Sequence, residues 1–450
     1  MARFKTIDRD TPMLLPADMR EWIPENDLVH FVLSAVEAVP LEEFKINDRG
    51  SGSKEYPPHM MLALLIYCYA NGLFGSRRIE RATYRDVAVR YLTGDTHPDH
   101  DTICSFRKKN FHAVSRAFLE VLKLAKEMKL LKVGTISVDG THLRANASKK
   151  RSIRYDRACK LEKQLEQDIA ELMCKAEQAD SSNEEDGQSL PDEIARRQSL
   201  LTRMREARER LEKRAEERAK VENKAYEEKL KKREKRPGGR KGPMPSPPST
   251  TPKAKDQANL TDDDSRLMRK NNSSSFEQSF NAHAAVDADG SQLVLNTLVA
   301  NTPGDSPELR PVIEGIGEEI GFPTNVLADS GYVDVASLKA LRAQGIEPFV
   351  PPSRDCSHQQ RQYDFRPSSK TPSKSVSDPF LQEMRDKLST DAGRALYAMR
   401  KQTVEPVFGI IKEAMGFRQF LLRGLPNVNA EWELVCLAYN VKRLFNMREA

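Results

Sequence analysis

The pattern of apolar and polar positions divides the chain into a helical first part, a highly charged middle, and a second half in which strands and helices alternate. Up to about residue 130, short apolar-periodic segments are separated by turn residues, and an apolar run at 60–70 follows Pro57-Pro58. This pattern predicts several short helices around a common core. The last of them carries Arg107 and Lys108, which favours either a helix-turn-helix-like module or an ordinary bundle with a basic wet face.

A β-branched run around Ile136 and Val138 ends in Asp139, and Gly140 follows at once. Its alternation of apolar and small polar residues predicts a buried strand. A carboxylate at the end of a central strand lies where the sheet opens to solvent, and a glycine after it lets backbone or ligand come close. A simple Asp-Gly turn would have the same local sequence.

The charged middle of the chain, from residue 151 to residue 235, is rich in Glu, Lys, Arg and Ala and almost free of Pro and Gly. Apolar residues return there every three or four positions on both sides of a polar break at 179–189. This predicts two long amphipathic helices folded as an antiparallel coiled-coil hairpin with a solvated outer face. The basic, then Pro-rich segment that follows would serve either as a phosphate-binding arm or as a plain linker.

Strand signals return in the second half of the chain. Two apolar runs surround Asp287-Ala-Asp-Gly290, which predicts a hairpin and assigns both aspartates to its turn. A further short apolar run ends in Asp329, and Ser330-Gly331-Tyr332 comes next. The polar stretch 353–380 predicts a loop, and the pattern beyond it predicts helices to the C-terminus.

Composition changes this picture little. The balance of 72 Lys and Arg against 66 Asp and Glu gives a charge of +6, a mild excess that only weakly indicates a nucleic-acid partner. Six scattered cysteines without metal-ligand spacing indicate a reduced protein with no disulfide framework. The sequence has no signal-peptide pattern and no apolar run long enough for a bilayer, so we expect a cytoplasmic protein that does not bind membranes.

One group of acidic and basic residues suggests a chemistry. Spacings of four and seven place Lys401, Glu405 and Lys412 on one helix face, although a solvent-exposed row of ion pairs would have the same spacing. With Asp139 and Asp329, Glu405 completes a set of three carboxylates, the hard ligands that Mg²⁺ prefers. Two such ions can activate a water or a 3′-hydroxyl and stabilise the leaving oxygen of an in-line displacement.

These residues resemble the catalytic signature of the DDE transposases of bacterial insertion sequences. In that family two Asp lie on strands and a Glu on a later helix, and several groups carry Tyr-x2-Arg-x3-Glu-x6-Lys around the Glu. This chain has Tyr397-x2-Arg400 and Glu405-x6-Lys412 in the family spacing. Four residues, however, separate Arg400 from Glu405, so Lys401 is an alternative candidate for the Arg position.

The other motifs of the chain resemble the same family. Val-Asp139-Gly-Thr and Leu-Ala-Asp329-Ser-Gly-Tyr are similar to its first and second Asp motifs. Segments 98–107, 259–268 and 416–424 are similar as well, so the resemblance covers nearly the whole chain.

The resemblance implies an α/β fold in which a ribonuclease-H-like mixed-sheet catalytic domain accompanies an all-α N-terminal DNA-binding domain and an inserted helical hairpin. The implied segments are a helix-turn-helix-like DNA-binding domain at 1–130, a DDE catalytic domain at 131–148 and 256–450, an inserted coiled-coil hairpin at 149–235, and a basic Pro/Gly-rich linker at 236–255.

The implied function is that of a transposase that binds the terminal inverted repeats of an insertion sequence and catalyses metal-dependent DNA cleavage and strand transfer. Asp139, Asp329 and Glu405 would be catalytic and would hold Mg²⁺ or Mn²⁺, as two ions. The implied DNA-binding residues are Tyr397, Arg400, Lys401, Lys412, His142, Arg144, Arg107 and Lys108. The expected partners are the element's ends, target DNA and a second copy of the chain in an active homodimer.

Two other functions are compatible with the same residues. One is a ribonuclease-H-like nuclease that acts without transposition, and strand-transfer assays with a 3′-hydroxyl donor end would separate it from a transposase. The other is a non-catalytic DNA-binding protein, which metal-independent binding without cleavage would favour.

Overall fold

The computed structural model describes most of the chain, and the described residues are 18–46, 54–182, 190–234, 244–269, 275–352, 376 and 378–449. They form two compact units. Unit 1 contains the described residues up to Leu143 and from Asn281 onward, and unit 2 contains those from Arg144 to Phe280. No helix in the described ranges is long and apolar enough to cross a membrane.

The α-helices of the described chain are α1 (Leu28–Glu37), α2 (Pro58–Ala70), α3 (Ser76–Arg85), α4 (Val87–Leu92), α5 (His100–Lys109), α6 (Phe111–Glu127), α7 (Tyr155–Ser182), α8 (Leu190–Glu234), α9 (Leu309–Glu314), α10 (Val335–Ala343), α11 (Pro379–Ser389), α12 (Asp391–Gly409) and α13 (Leu425–Glu449). The strands are β1 (Thr135–Arg144), β2 (Ser152–Arg154), β3 (Gln257–Asn259), β4 (Arg266–Met268), β5 (Glu277–Asp287), β6 (Val294–Ala300), β7 (Asn325–Leu327) and β8 (Glu347–Phe349).

The predicted short N-terminal helices are present, and they share a core with the C-terminal helix. α2 is buried continuously from Met61 to Ala70, as its apolar circumference requires. It packs between α1 and α13, and α6 also packs on α13. The helices before β1 therefore belong to unit 1 and do not form a separate compact unit of their own.

Two of these helices have well-defined starts. α5 begins after Asp99, whose carboxylate accepts a hydrogen bond from the Thr102 amide at 2.8 Å. α3 begins at Ser76, with Gly75 as the capping residue.

The sheet of unit 1 has β1 at its centre. Its strand order is β6-β5-β1-β7-β8, with β5 and β6 antiparallel and β1, β7 and β8 mutually parallel. The predicted hairpin of β5 and β6 is confirmed. In its turn the Asp287 carboxylate accepts hydrogen bonds from the Ser291 amide and hydroxyl, at 3.1 and 2.6 Å. The Asp289 carboxylate accepts from the amides of Gly134 and Thr135, both at 2.8 Å, and so anchors the start of β1.

Unit 2 contains the predicted antiparallel helical hairpin, formed by α7 and α8. Glu162 on α7 pairs with Arg205 and Arg208 on α8, and Asp168, further along α7, pairs with the earlier Arg197. This opposite order along the two helices means that they run antiparallel. The buried apolar cluster of the unit contains Ile153, Ala158, Leu165, Ile169, Leu201, Met204, Ala207, Leu211 and Ala258. The predicted break between the helices falls largely at 183–189, outside the described residues.

Candidate active site

Asp139 lies inside β1 and not at its end. Thr135 to Val138 are buried, but the strand continues through Gly140 to Arg144, which corrects the expectation that the strand stops at the carboxylate. The Asp139 Oδ1 accepts from the Gly140 amide at 2.9 Å, and Oδ2 accepts from Arg400 Nη1 at 3.0 Å. Burial raises the pKa of Asp139 to about 6, with Asp329 and Asp305 adding to the rise and Arg400 opposing it.

Arg400 joins the central strand to the helix that carries Glu405. Its Nη2 donates to Glu405 Oε1 at 3.2 Å while Nη1 holds Asp139, so one guanidinium contacts both carboxylates. The Arg400 side chain is only 11% exposed, whereas that of Glu405 is 49% exposed. The two carboxylates are thereby linked within one cluster, with the buried cation between them.

Asp329 follows β7, the parallel neighbour of β1. Ser137 on β1 pairs with Leu327 on β7, and Asp139 and Asp329 each lie two residues beyond that pair. Asp329 then turns away from the strand, because its Oδ1 accepts from the Gly331 amide at 2.8 Å and so caps the short helical turn Ser330–Tyr332. The register of the two parallel strands thus brings the first two predicted carboxylates to the same level along the sheet.

A further carboxylate, Asp305, lies beside Asp329. A Cβ atom built on Gly331 would be 2.9 Å from Asp329 Oδ1 and 3.0 Å from Asp305 Oδ2, so the two carboxylates approach each other across that glycine. The other oxygen of Asp305 accepts from Asn281 Nδ2 at 2.7 Å. Asp305 is not recognisable from the sequence, because in its Pro-Gly-Asp-Ser context it looks like any loop or capping residue.

Buried polar side chains on β5 pack closely against Gly140. A Cβ on Gly140 would be 2.9 Å from the His283 ring and 3.0 Å from Asn281 Oδ1, so this position requires glycine. The Nδ1 of His283 hydrogen-bonds the Tyr332 hydroxyl at 2.6 Å. Burial lowers the pKa of His283 to about 3, with the nearby His142 adding to the effect, so His283 is neutral. The groups that approach Gly140 closely are thus side chains of β5, and not the backbone or ligand that the sequence led us to expect.

The helix that bears Glu405 contains Pro406, which deprives the Gln402 carbonyl of its helical donor. Gln292 Nε2 donates to that carbonyl at 2.9 Å instead. α12 therefore runs through the proline to Gly409 and passes into a π-helical turn at Ile410–Ala414. Lys412 lies in this turn, and its ammonium donates to the Thr141 hydroxyl on β1.

The remaining predicted residues differ in accessibility. Tyr397 and His142 are half-buried, and Lys401, Lys108 and Arg144 are exposed. Burial raises the pKa of the Tyr397 hydroxyl, which lies beside Arg400.

The sequence led us to expect Arg107 on a basic outer face of the protein, but the structure shows that it is buried. The side chain is only 5% exposed, and its Nη1 donates to the Tyr69 hydroxyl at 2.6 Å and to the Phe74 carbonyl at 3.1 Å. It also lies 3.9 Å from the buried carboxylate of Glu431. The Arg107 guanidinium therefore makes these contacts in the protein interior, and not on the surface.

The cluster contains the right donor chemistry for a divalent cation, since carboxylate oxygens are its preferred ligands. Within the described part of the chain, however, no three His, Cys, Asp or Glu side chains are arranged as a metal-ligand group. The Arg400 guanidinium lies between Asp139 and Glu405 and supplies the positive charge there.

Comparison with known families gives two matches. Residues 354–445 match the model described as Transposase DDE domain, and residues 17–109 match the model described as Transposase domain (DUF772). The first match includes Glu405, whereas Asp139 and Asp329 lie outside both. No significant match was found among curated proteins or solved structures. DDE transposase domains act on DNA and generally use divalent metal ions. Transposase family models therefore match near both ends of the chain, which supports an insertion-sequence DDE transposase.

Proposed function

We propose that the protein binds the terminal inverted repeats of an insertion sequence and catalyses DNA cleavage and strand transfer with Asp139, Asp329 and Glu405. The observation that carries the proposal is the bridge from Asp139 through Arg400 to Glu405, with Asp329 on the adjacent parallel strand. A mixed sheet with two Asp on neighbouring strands and a Glu on a later helix is also the arrangement that a ribonuclease-H-like DDE domain requires.

The three carboxylates would hold Mg²⁺ or Mn²⁺, as two ions. When bound, such ions activate a water or a 3′-hydroxyl and stabilise the leaving oxygen. Burial raises the pKa of Asp139, Arg400 opposes the rise, and the charge of Asp329 adds to it. Because repulsion between carboxylates is relieved by positive charge, the site favours a cation. Glu405 is the most exposed of the three side chains and would complete the ligand set from the helix.

The basic residues around the carboxylates would hold the phosphates of the DNA end. Lys412 is fixed beside β1 by Thr141, and Arg400 is fixed by two carboxylates, so both cations are positioned before DNA arrives. The proposed contacts in unit 1 are Tyr397, Arg400, Lys401, Lys412, His142 and Lys108. Arg144, exposed at the end of β1, is proposed independently of them.

The N-terminal helices would recognise the inverted repeats, and the α7–α8 hairpin would support pairing of two DNA ends in a homodimer. The exposed Lys108 on α5 supports a DNA-facing surface there, and Arg107 is not part of it. Because these helices share their core with α13, DNA-binding tests require the full chain.

The test uses full-length protein, a labelled duplex that carries the inverted repeat of the element, and Mg²⁺ or Mn²⁺. Asp139→Asn, Asp329→Asn and Glu405→Gln should each retain DNA binding and lose cleavage and strand transfer. Glu413→Gln is the matched control for Glu405, since Glu413 is 69% exposed and pairs with Arg418. It should cleave as the parent does.

The outcomes separate the candidate functions. Metal-dependent cleavage without joining of a 3′-hydroxyl end to target DNA would identify a nuclease and overturn the transposition step. DNA binding with no cleavage by the parent protein would identify a binding protein. Cleavage by any of the three carboxylate variants at the parent's rate would overturn the residue assignment.

A further inference from the structure

The strongest unassigned feature of the site is Asp305. It lies just after β6, ahead of the short helical turn Ser306–Glu308, and is only partly exposed. Its Oδ2 and the Oδ1 of Asp329 both lie within 3.0 Å of the position that a Cβ on Gly331 would take. Two carboxylate oxygens are thus brought together over a residue that has no side chain to separate them.

Asn281 determines the orientation of Asp305. Its Nδ2 donates to Asp305 Oδ1 at 2.7 Å, so that the other oxygen is directed toward Asp329. Asn281 is itself 1% exposed, and its Oδ1 has no hydrogen-bond partner among the described residues. That oxygen lies 3.0 Å from the Cβ position of Gly140, next to Asp139. A buried acceptor without a donor costs free energy unless something supplies positive charge nearby.

The carboxylates also influence each other. The charge of Asp305 raises the pKa of Asp139, and that of Asp329 raises the pKa of Asp305, after burial in each case. Arg400 hydrogen-bonds Asp139 and Glu405, and its positive charge also interacts with Asp329 through space. Asp305 and Asp329 thus present two carboxylates around Gly331, and the unpartnered oxygen of Asn281 lies on the side of Gly140.

We propose that Asp305 contributes its carboxylate to the same divalent-cation site as Asp329 and that Asn281 holds it in position. The proposal rests on the proposed function, because it extends the ligand set of Asp139, Asp329 and Glu405. In this arrangement Asp139 within β1 and the two aspartates that follow β6 and β7 provide three carboxylates, and the more exposed Glu405 provides the ligand that DNA can reach.

The test measures binding of Mn²⁺ alone to the full chain by electron paramagnetic resonance, without DNA. Asp305→Asn is the informative variant, because its amide oxygen still accepts from Asn281 while the charge facing Asp329 is removed. We expect about a ten- to hundredfold weaker Mn²⁺ affinity, the usual range for ligands and their close supports. Glu308→Gln, three residues away, makes the same charge change in the same turn and should leave the affinity within twofold.

Measurements at low and high ionic strength separate ligation from a general charge effect. Loss of a ligand should persist in high salt, whereas a through-space effect should fade as salt screens it. If the deficit of Asp305→Asn vanishes in high salt, or equals that of Glu308→Gln, the proposal is overturned. Should Asp305→Asn fail to fold, Asn281→Ser provides the same test. It removes the amide that hydrogen-bonds the Asp305 carboxylate and should also weaken Mn²⁺ binding.

The result also separates this inference from the proposed function. If Asp329→Asn weakens Mn²⁺ binding and Asp305→Asn does not, only the role of Asp305 fails. If neither Asp139→Asn nor Asp329→Asn changes the affinity, the cation site of the proposed function fails as a whole.

Discussion

The buried ion pair of Arg107 and Glu431 predicts a large loss of stability when its cation is removed. Glu431 is fully buried on α13, and its Oε2 accepts from the amides of Leu421 and Leu422, both at 2.9 Å. Burial raises the pKa of Glu431, and Arg107 opposes that rise. Arg107→Met keeps the apolar stem of the side chain but leaves the carboxylate without its cation.

The magnitude follows from burial on both sides of the pair. Removing one partner of a buried pair costs about 3–5 kcal/mol, and both side chains here are too buried for solvent to screen the loss. Lys108→Met removes the same charge from the next residue of α5, which is exposed, and should change stability by about 0.5 kcal/mol or less. The difference in unfolding free energy between Arg107→Met and Lys108→Met measures how much the burial of Arg107 adds to the effect of losing its charge.

Urea unfolding followed by tryptophan fluorescence is the appropriate assay. The chain has two tryptophans, Trp22 and Trp432, and both belong to unit 1, so the signal reports that unit. With a urea slope of about 3 kcal/mol/M, Arg107→Met should lower the midpoint by about 1–1.7 M. Adding Glu431→Gln to Arg107→Met should recover part of the loss, because the buried group becomes neutral. Equal midpoints for Arg107→Met and Lys108→Met would refute the reasoning.

Three further predictions concern other parts of the fold. Gly140→Ala should lower the stability of unit 1 by about 1–3 kcal/mol, because the new methyl would overlap His283, and an unchanged midpoint in the same urea assay would contradict this. Burial raises the pKa of Asp287, so its contribution to stability is complete below the ordinary carboxyl pKa and is lost as the pH rises through the raised value. The melting temperature of Asp287→Asn should therefore rise relative to that of the parent as the pH increases from acid to neutral. A difference in melting temperature that does not change with pH would contradict this. Glu162→Gln should destabilise the α7–α8 hairpin by about 1 kcal/mol, seen as an earlier loss of helical circular dichroism without a shift in the tryptophan transition.

The elements that the sequence predicted well are those whose pattern is local. The α7–α8 hairpin follows from apolar residues at helical spacing, and Leu165, Met204 and Leu211 are buried as that spacing requires. α2 was recognisable because a run that is apolar on every side must be surrounded. Periodicity therefore identified the elements, although it could not tell which distant helix covers α2.

The errors concern residues whose environment comes from distant parts of the chain. Arg107 looked like a surface residue because its partner Glu431 is on the last helix. Gly140 looked like the end of a strand, whereas it lies inside one and accommodates the His283 ring from the neighbouring strand. Asp305 had no local signal, since its significance depends on Asp329 across the sheet edge. The positions of charged residues and glycines in a sequence indicate where a structural constraint lies, but they do not show which distant segment imposes it.

The unusual spacing before Glu405 accounts for which cation reaches the carboxylates. Lys401 is four residues from Glu405 and shares its helix face, but it is exposed. Arg400 is five residues away, which turns the helix by about 140° beyond a full revolution and directs its side chain toward the sheet. From there its guanidinium bonds both Asp139 and Glu405. The extra residue thus moves the cation from the helix surface to the gap between helix and strand, where it neutralises the same oxygens that a divalent ion would bind.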